Sequence, residues 1–440
     1  MNFDELVALM RENGIVGAGG AGFPSYAKLS QSVDTIIVNC AECEPLLRLH
    51  RQLMEKRAAE ILGTLDKIAK TVGAKEVVIA LKAVYTKAVA AIEANIAPFK
   101  NIRICPLKEV YPAGDEVVLI YEATGRIVPA GALPSSVGIT VFNVETVYNI
   151  YRAMNGTPVT HKYVTVAGEV KAPQTFYAPI GTSFSELIAL AGGETVDNPA
   201  YLVGGPMMGR LGSVSDVVTK TTNAVIVLPD DHYVVMRKRT SPSIDLKRAM
   251  ASCCQCHYCT DMCPRHLLGH PINPAELMRV ASNHDTANAK PYLDALYCSG
   301  CGLCEMYSCV QGLSARNVIG AIKAGLRTAG VKAPVVSDPV PVENRELRRV
   351  PLSRLRARIG LEKYNHSAPM VDTAVCPKEV KIKLSQHVGV PAVASVGVGD
   401  NVAIGQVIAK AAEGKLSVNI HSSVNGRVSE VTNAYIKITI

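Results

Sequence analysis

The sequence predicts a multidomain α/β protein with a helical cysteine-rich part and an all-β C-terminal part. Three observations support this fold class. Strand-like and helix-like segments alternate from residue 35 to about residue 157, which is typical of an α/β domain with a largely parallel sheet. Eight cysteines then fall in two runs separated by helical segments. From Val380 to Ile440, apolar and polar residues alternate between glycine turns, which favours a small β-sandwich.

The composition limits the classes of protein to which the chain can belong. Hydrophobic residues make up 48% of the 440 residues and charged residues 19%, which is a globular composition. No stretch approaches the ~20 apolar residues of a membrane span, and no signal peptide is recognisable. Thirteen cysteines, mostly clustered, indicate metal ligation in a reducing compartment. The net charge of +8 is spread along the chain. We therefore expect a cytoplasmic protein without a nucleic-acid partner or a transmembrane segment.

The α/β region begins with a helix and a glycine-rich loop. Residues 3–13 carry apolar side chains at helical spacing, which predicts a packing face or, alternatively, a docking or encapsulation tag. Five glycines then fall within residues 14–22. Gly17, Gly19 and Gly22 match G-x-G-x-x-G, but the motif follows a helix, whereas the dinucleotide fingerprint follows a strand. Such a loop still exposes backbone N–H groups to a planar or phosphorylated ligand.

Acidic residues follow the predicted strands. The strand predicted over 35–39 leads into Cys40, Glu42, Cys43 and Glu44, and α/β sheets bind ligands at this end of their strands. Cys40 and Cys43 form a C-x-x-C pair, which indicates either packing cysteines or a redox dithiol. A second turn with carboxylates spans residues 111–116, and a third strand predicted over 139–143 opens directly into a helix.

The two cysteine runs read C-x2-C-x2-C-x3-C-P and C-x2-C-x2-C-x4-C. Three thiolates at this spacing bind one corner of a 4Fe–4S cluster, and in two-cluster ferredoxins the other run supplies the fourth ligand. We therefore pair the first three cysteines of each run with the last cysteine of the other. Zinc and disulfides remain alternatives, although zinc sites usually use two separated C-x2-C pairs. Cys254 lies outside the spacing. The predicted ligands are Cys253, Cys256, Cys259, Cys263, Cys298, Cys301, Cys304 and Cys309.

Four motifs carry a family resemblance: GAGGAGFP, NCAECEP, YPAGDE and NVET. They resemble the flavin site of the NADH-oxidising subunit of respiratory complex I, of the RnfC protein of the Rnf complex and of the cobalamin reductases of propanediol-utilisation microcompartments. The resemblance implies NADH contacts at Phe23, Glu44, Asp115 and Glu116. Relatives of complex I carry an Arg where this chain has Ala18. The implied FMN-binding residues are Gly17, Gly19, Gly20, Gly22, Asn39, Glu42, Tyr111, Gly114, Asn143 and Thr146.

The resemblance extends over nearly the whole chain and implies its domain boundaries. Residues 160–215 resemble the β-grasp SLBB module of the same family. The C-terminal part resembles a lipoyl or biotinyl barrel-sandwich hybrid, which the RnfC protein carries at its N-terminus. The expected units are an FMN/NADH-binding α/β domain (1–157), an SLBB domain (158–245), a helical ferredoxin-like domain with two 4Fe–4S clusters (246–330), a linker (331–372) and a barrel-sandwich hybrid (373–440).

The resemblance implies a flavin iron–sulfur oxidoreductase that passes electrons from NADH through FMN and two 4Fe–4S clusters to an acceptor. The C-terminal place of the sandwich favours the microcompartment branch, and hence a corrinoid or corrinoid-enzyme acceptor inside a bacterial microcompartment, with shell or cargo proteins as neighbours. No residue is expected to act as a catalytic acid or base. The alternatives are an RnfC-like component of a membrane electron-transport complex and a non-catalytic electron-transfer adaptor without NADH binding, which Ala18 favours.

Overall fold

The computed structural model describes residues 1–440, and its first domain is built on a four-stranded parallel sheet. Its elements are α1 (Phe3–Glu12), β1 (Thr35–Cys40), α2 (Leu49–Val72), β2 (Glu76–Lys82), α3 (Thr86–Ile96), β3 (Ile102–Leu107), β4 (Val110–Tyr111), α4 (Glu116–Thr124), β5 (Ile139–Asn143) and α5 (Val144–Met154). The sheet order is β3-β2-β1-β5, so the chain leaves β1 on one side and returns with β5 on the other. This reversal creates a crevice at the carboxyl ends of β1 and β5, where open α/β sheets bind ligands.

The first helix packs within this domain. Asn2 and Glu5 form a capping box at its start. Leu6 and Met10, one turn apart on the same face, are fully buried in the main apolar core. The apolar face of α1 is therefore covered by the protein's own core, which leaves it unavailable as a docking tag. No helix of the structure combines the length and the apolar character that crossing a membrane requires.

The second domain carries a mixed sheet with one short helix packed on it. Its core is formed by the inner residues of strands and helix, among them Val164, Phe184 and Val225. A further helix leads out of it towards the cysteines. The elements are β6 (His161–Gly168), β7 (Gln174–Pro179), α6 (Phe184–Leu190), β8 (Pro199–Val203), β9 (Arg210–Gly212), β10 (Ala224–Pro229) and α7 (Tyr233–Arg239).

The cysteine-rich part is helical. The helix that follows the first cysteine run ends at Ser282, and Asn283 forms its C-cap. Leu277, Val318 and Ile319 pack between the helices as a small core. The helices are α8 (Pro242–Ser252), α9 (Tyr258–Asp261), α10 (Pro274–Ser282), α11 (Lys290–Asp294), α12 (Leu303–Met306) and α13 (Ala315–Thr328).

The segment expected to be a linker, 331–372, is folded against three other parts of the chain. It contains β11 (Val350–Pro351), α14 (Leu352–Arg358) and β12 (Met370–Ala374). β11 pairs with β4 of the first domain, and β12 extends the second sheet to the order β12-β7-β6-β10-β8-β9. Leu352 and Leu355 are buried in a core shared with the second domain and α12. Arg349 of this segment pairs with Glu122 of the first domain at 2.7 Å.

The C-terminal part forms two small antiparallel sheets. Its strands are β13 (Glu379–Lys383), β14 (Val393–Ala394), β15 (Asn401–Val402), β16 (Val407–Lys410), β17 (Ile420–His421), β18 (Gly426–Val431) and β19 (Tyr435–Thr439). One sheet has the order β13-β19-β18-β15 and the other β14-β16-β17. Val380, Ile382 and Ile438 lie in the same apolar cluster as Leu6 and Ile36 of the first domain. The two ends of the chain therefore share one core.

Candidate functional site

The glycine loop, residues 14–22, lies at the carboxyl ends of β1 and β5. Asn39 and Asn143 are register partners at the ends of these two strands. The N–H of Ala18 donates to Thr146 Oγ1 at the start of α5 (3.0 Å), and the N–H of Gly17 donates to the carbonyl of Phe23 (2.9 Å). Residues from three of the four flavin motifs thus meet at one edge of the sheet, around the crevice that the strand order creates.

The tip of the glycine loop has the properties of an anion or cofactor cradle. The backbone N–H groups of residues 19–22 donate to no acceptor within the protein. Gly20 and Gly22 have φ values of +69° and +68°, in the left-handed region that favours glycine. A Cβ added at Gly20 would meet nothing within 4 Å, so the space beside it is open. Successive unpaired N–H groups beside open space suit the phosphate and ring edges of FMN.

The third motif closes the rim of this crevice. Asn39 Nδ2 donates to the carbonyl of Gly114 (2.9 Å), and the N–H of Gly114 donates to Cys43 Sγ (2.5 Å). A Cβ at Gly114 would lie 2.9 Å from Cys43 Sγ and 3.2 Å from Asn39 Oδ1, so only glycine fits this contact. Cys43 therefore packs against the rim, and burial raises the pKa of its thiol to about 11. This supports the packing interpretation of Cys43.

Two of the implied flavin residues are held by a buried polar network. Asn143 Oδ1 accepts from the N–H of Glu145, and its Nδ2 lies 3.1 Å from His50 Nε2. Glu42 is buried, adopts a φ of +40° and accepts from the N–H of His50 at 3.0 Å. Arg51 neutralises the Glu42 carboxylate at 3.4 Å. A non-glycine residue in the left-handed region costs energy and is typical of functional sites. Sequence reasoning missed His50, because no local pattern around it signals this contact.

The three carboxylates implied for NADH each have a protein partner. Glu44 accepts from the N–H groups of Met207 (2.8 Å) and Met208 (2.7 Å) in a turn of the second domain. Burial raises the pKa of the Glu44 carboxyl group. Asp115 caps α4 and pairs with Arg265 at 2.9 Å, next to Cys263.

The remaining implied NADH residues lie nearer the surface. Glu116 pairs with Lys28 at 2.9 Å, and its side chain is 39% exposed. Phe23 is half-buried beside the glycine loop. Of the three carboxylates, Glu116 is the most accessible to a substrate, whereas Glu44 and Asp115 mainly join domains.

The eight cysteines form two groups of four. The inner set, Cys263, Cys298, Cys301 and Cys304, lines one cavity. The outer set, Cys253, Cys256, Cys259 and Cys309, lines another, which Cys254 and Cys304 also border. These are the two groups that the spacing predicts, each with one cysteine from the other run.

The thiols within each set lie close enough to influence one another. Burial, together with the neighbouring Cys309, raises the pKa of Cys259 to about 12. Burial raises the pKa of Cys263 to about 12 as well, with Cys298 among the causes. Backbone N–H groups donate to sulfur in both sets, from Leu313 to Cys309 (3.2 Å) and from Gly300 to Cys298 (3.3 Å). Four converging sulfurs with such donors suit a 4Fe–4S cluster in each cavity.

Tyr111 links the flavin crevice to the inner set. Its side chain is buried, and its hydroxyl donates to the backbone carbonyl of Cys301 at 2.6 Å. Burial raises the pKa of this phenol well above its usual value, so it stays a hydrogen-bond donor. Together with the Asp115–Arg265 pair, this contact places the inner set beside the first domain.

Family models match the chain in four places. They are the Nuo51 FMN-binding domain at residues 10–152, the SLBB domain at 163–211, a 4Fe-4S dicluster domain at 252–314 and the RnfC barrel sandwich hybrid domain at 359–439. The chain therefore binds FMN and two 4Fe–4S clusters, and the cradle and the two cysteine sets described above fit these groups.

Curated relatives match over the full length. The cobalamin reductase PduS of Salmonella typhimurium is 42% identical over 100% of this chain and 97% of its own length. The PduS protein of Citrobacter freundii is 41% identical over 98% of this chain and 95% of its own length. A component of the Na(+)-translocating ferredoxin:NAD(+) oxidoreductase complex of Acetobacterium woodii is 35% identical, over 63% of this chain and 61% of its own length.

Among solved structures, the NAD+-reducing [NiFe]-hydrogenase in its H2-reduced state has a similar fold. The match has a TM-score of 0.50 and 19% sequence identity, and it covers 76% of this chain and 64% of the hydrogenase chain. At this identity the likeness concerns the fold alone.

Proposed function

The chain belongs to the PduS family of cobalamin reductases, and from this premise we propose that it is an NADH-dependent reductase of a corrinoid. When bound at the glycine-loop tip, FMN would supply acceptance of a hydride from NADH and release of single electrons, and 4Fe–4S clusters held by the two cysteine sets would supply one-electron transfer towards a corrinoid. The supporting observation is the direct connection between the two sites, in which the hydroxyl of Tyr111 donates to the carbonyl of Cys301 at 2.6 Å.

The protein's own residues bind and orient the cofactor and exclude water from it. The free N–H groups of the glycine-loop tip supply donors for the cofactor, and Asn39 and Asn143 fix the rim on which it rests. Thr146 holds the loop against α5. Hydride transfer requires no side chain to take up a proton.

The junction between the two sites is largely buried and contains an ion pair. Asp115 is 7% exposed and Arg265 18% exposed in their ion pair, and Tyr111 is buried beside them. Arg265 follows Cys263 by two residues, so its charge lies next to an inner cysteine. The guanidinium of Arg265 therefore balances the carboxylate of Asp115 beside the inner cysteine set.

The test is an anaerobic reduction of the reconstituted protein with both clusters and FMN. NADH should bleach the flavin absorbance and then the cluster absorbance, and added cob(III)alamin or cob(II)alamin should restore both while the corrinoid is reduced. A protein whose flavin and clusters are bleached by NADH, but whose spectrum does not respond to either corrinoid, would contradict the corrinoid acceptor.

A second candidate is an electron-transfer adaptor that does not oxidise NADH. The observation that favours it is the engagement of Glu44 and Asp115 by protein groups, together with Ala18 at the position where relatives have Arg. In this case dithionite would reduce the clusters, whereas NADH would leave flavin and clusters oxidised. The same anaerobic titration therefore distinguishes the two candidates.

The proposed location is the interior of a bacterial microcompartment. The C-terminal place of the barrel-sandwich hybrid supports it, because this place favours the microcompartment branch of the family. Because the apolar face of α1 is buried, encapsulation would use another surface or a cargo partner. The test is fractionation of cells that express the shell proteins with this chain. Recovery of the chain with purified shells supports the interior location, and recovery only in the shell-free fraction contradicts it.

A further inference from the structure

The second domain contacts the glycine loop through one short segment. Residues 219–223, here called the buttress loop, connect Val218 to β10. Three of its side chains approach three different glycines of the glycine loop: Lys220 at Gly14, Thr221 at Gly22 and Asn223 at Gly19. A Cβ added to these glycines would lie 2.4, 2.7 and 2.8 Å from the three side chains, respectively. The buttress loop thus lies against the start, the middle and the end of the glycine loop.

The amide of Asn223 has a fixed orientation. Its Oδ1 accepts from Lys162 Nζ at 2.7 Å, and Lys162 is itself buried in an ion pair with Glu145 of α5. Since lysine only donates hydrogen bonds, the atom facing Lys162 must be the oxygen, and the nitrogen must face Gly19. This Nδ2 donates to no acceptor within the protein. It lies on the same side of Gly19 as Asn143 Nδ2, which is 3.8 Å from the added Cβ position.

Lys220 joins the glycine loop to the C-terminal part. The residue is buried, and its Nζ donates to the carbonyls of Gly14 (2.7 Å) and Asn419 (2.9 Å). Its backbone N–H donates to Gln386 Oε1 at 2.9 Å. The carbonyl of the same Gln386 lies 3.1 Å from the Cβ position of Gly22. The buttress loop and the C-terminal part therefore hold both the start and the end of the glycine loop.

We propose that Asn223 is a flavin-binding residue supplied by the second domain, and that Lys220 and Thr221 are positioning residues that hold the glycine loop around the cofactor. The free amide N–H lies beside Gly19, whose own backbone N–H is also free, so it adds one side-chain donor to the backbone donors of the loop tip. This inference rests on the flavin site proposed above, and it assigns part of that site to a domain that none of the four motifs includes.

The test measures FMN binding to the cluster-loaded, flavin-depleted protein by quenching of flavin fluorescence. Asn223→Asp keeps the size and the acceptor for Lys162 but removes the amide donor. Asn223→Ala removes the donor without adding charge. We expect the FMN dissociation constant to rise about tenfold in both variants, as for the loss of a hydrogen bond to a charged or polarised group.

Asn198→Asp is the matched control, because it makes the same chemical change at an exposed position of the same domain, away from the glycine loop. It should bind FMN as tightly as the wild type. Equal FMN affinity of the Asn223 variants and the wild type would overturn the inference while leaving the proposed function intact. Failure of the wild-type protein to bind FMN would instead overturn the proposed function, and with it the inference.

Discussion

The inner and outer cysteine sets have the same number of sulfurs but very different surroundings. In the inner set, Cys263, Cys301 and Cys304 are buried, and the backbone of Cys301 is bonded to Tyr111 of the first domain. In the outer set, Cys256 is exposed and the other three are only partly buried. Val310, beside Cys309, is 63% exposed. One set is built into the junction with the flavin domain, and the other opens to solvent.

This difference indicates a direction for the relay. Electron transfer requires a short distance, so the buried set, which contacts the flavin domain, is suited to receive electrons from the flavin. The set at the surface is suited to deliver them to an acceptor that must approach from solvent. Variants of the two sets and of their surroundings test this assignment of roles, beginning with those that should have the largest effect.

The largest loss of corrinoid reduction should come from two single variants, each of which lacks one cysteine ligand of one set. Cys301→Ala and Cys256→Ala should each halve the bound iron and reduce corrinoid reduction by NADH at least ~100-fold, because a relay with one missing cluster is interrupted. In Cys256→Ala, NADH should still reduce the remaining inner cluster. In Cys301→Ala, NADH should leave the remaining outer cluster oxidised while dithionite reduces it. Electron paramagnetic resonance of both variants after NADH addition measures this, and NADH reduction of the remaining cluster in both would contradict the assigned order.

Exposure to air should remove about half of the iron before the rest. The outer cluster is accessible to oxygen, whereas the inner one is shielded by both domains. Iron content and the spectroscopic signal of each cluster, followed over time in air, measure the order of loss. Simultaneous loss of both signals would mean that solvent exposure does not distinguish the sets.

In the cluster-free protein, alkylation should follow the same order. The exposed Cys254, Cys256 and Cys376 should react early and the buried Cys263 late. Because burial raises the pKa of Cys263 to about 12, its reactive thiolate is scarce at neutral pH. Its labelling rate should therefore rise with pH, about tenfold per unit below its pKa. Mass spectrometry of iodoacetamide-treated protein measures each site, and early labelling of Cys263 near neutral pH would contradict its burial.

A smaller effect should come from Tyr111→Phe. The change removes the hydroxyl that donates to Cys301 at 2.6 Å but keeps the ring that fills the junction. We expect cluster reduction by NADH to slow about threefold to tenfold, with flavin reduction unchanged, because only the contact beyond the flavin is weakened. Stopped-flow absorbance separates the two phases.

Tyr258→Phe is the control for this prediction, since Tyr258 is 40% exposed and lies beside the outer set. It should leave both phases unchanged. An equal slowing in the two variants would mean that the Tyr111–Cys301 contact has no special part in the transfer.

The smallest effect should come from Cys254→Ser. Cys254 is exposed between two outer cysteines but lies outside the spacing of the ligands. Iron content and the corrinoid reduction rate should stay within about twofold of the wild type, because serine keeps the size of the side chain. A loss of half the iron would show that Cys254, instead of Cys253 or Cys256, is a ligand of the outer cluster.

The parts of the molecule that sequence patterns predicted well are those set by local spacing. The alternation of strands and helices predicts the parallel sheet, and the cysteine spacing predicts the two groups of four that the structure brings together. The segment 331–372 was expected to be a linker because its prolines and arginines are typical of one. Its Leu352 and Leu355 are buried only because other domains cover them, and a local pattern does not contain that information.

At the flavin site, too, local sequence patterns do not predict the contacts between distant parts of the chain. The glycine loop and Asn39 belong to recognisable motifs, whereas Asn223 meets Gly19 across more than two hundred residues of chain. Asp115 carries a negative charge that the family resemblance assigns to substrate binding, yet its partner Arg265 comes from the cysteine-rich part. Such pairs depend on how domains dock, which no motif encodes.

The contacts that hold the glycine loop can form only in a fixed order while the protein is being synthesised. The loop is complete once residue 22 has been synthesised, but its contacts with Gln386 and, through Lys220, with Asn419 need nearly the whole remaining chain. At a ribosomal rate of ~5–20 residues per second, this delay is roughly 20–80 s. The first domain therefore leaves the ribosome with its cofactor loop held by Thr146 but without these contacts from the C-terminal part. Tight flavin loading would be a late event, and it would report that every domain has docked.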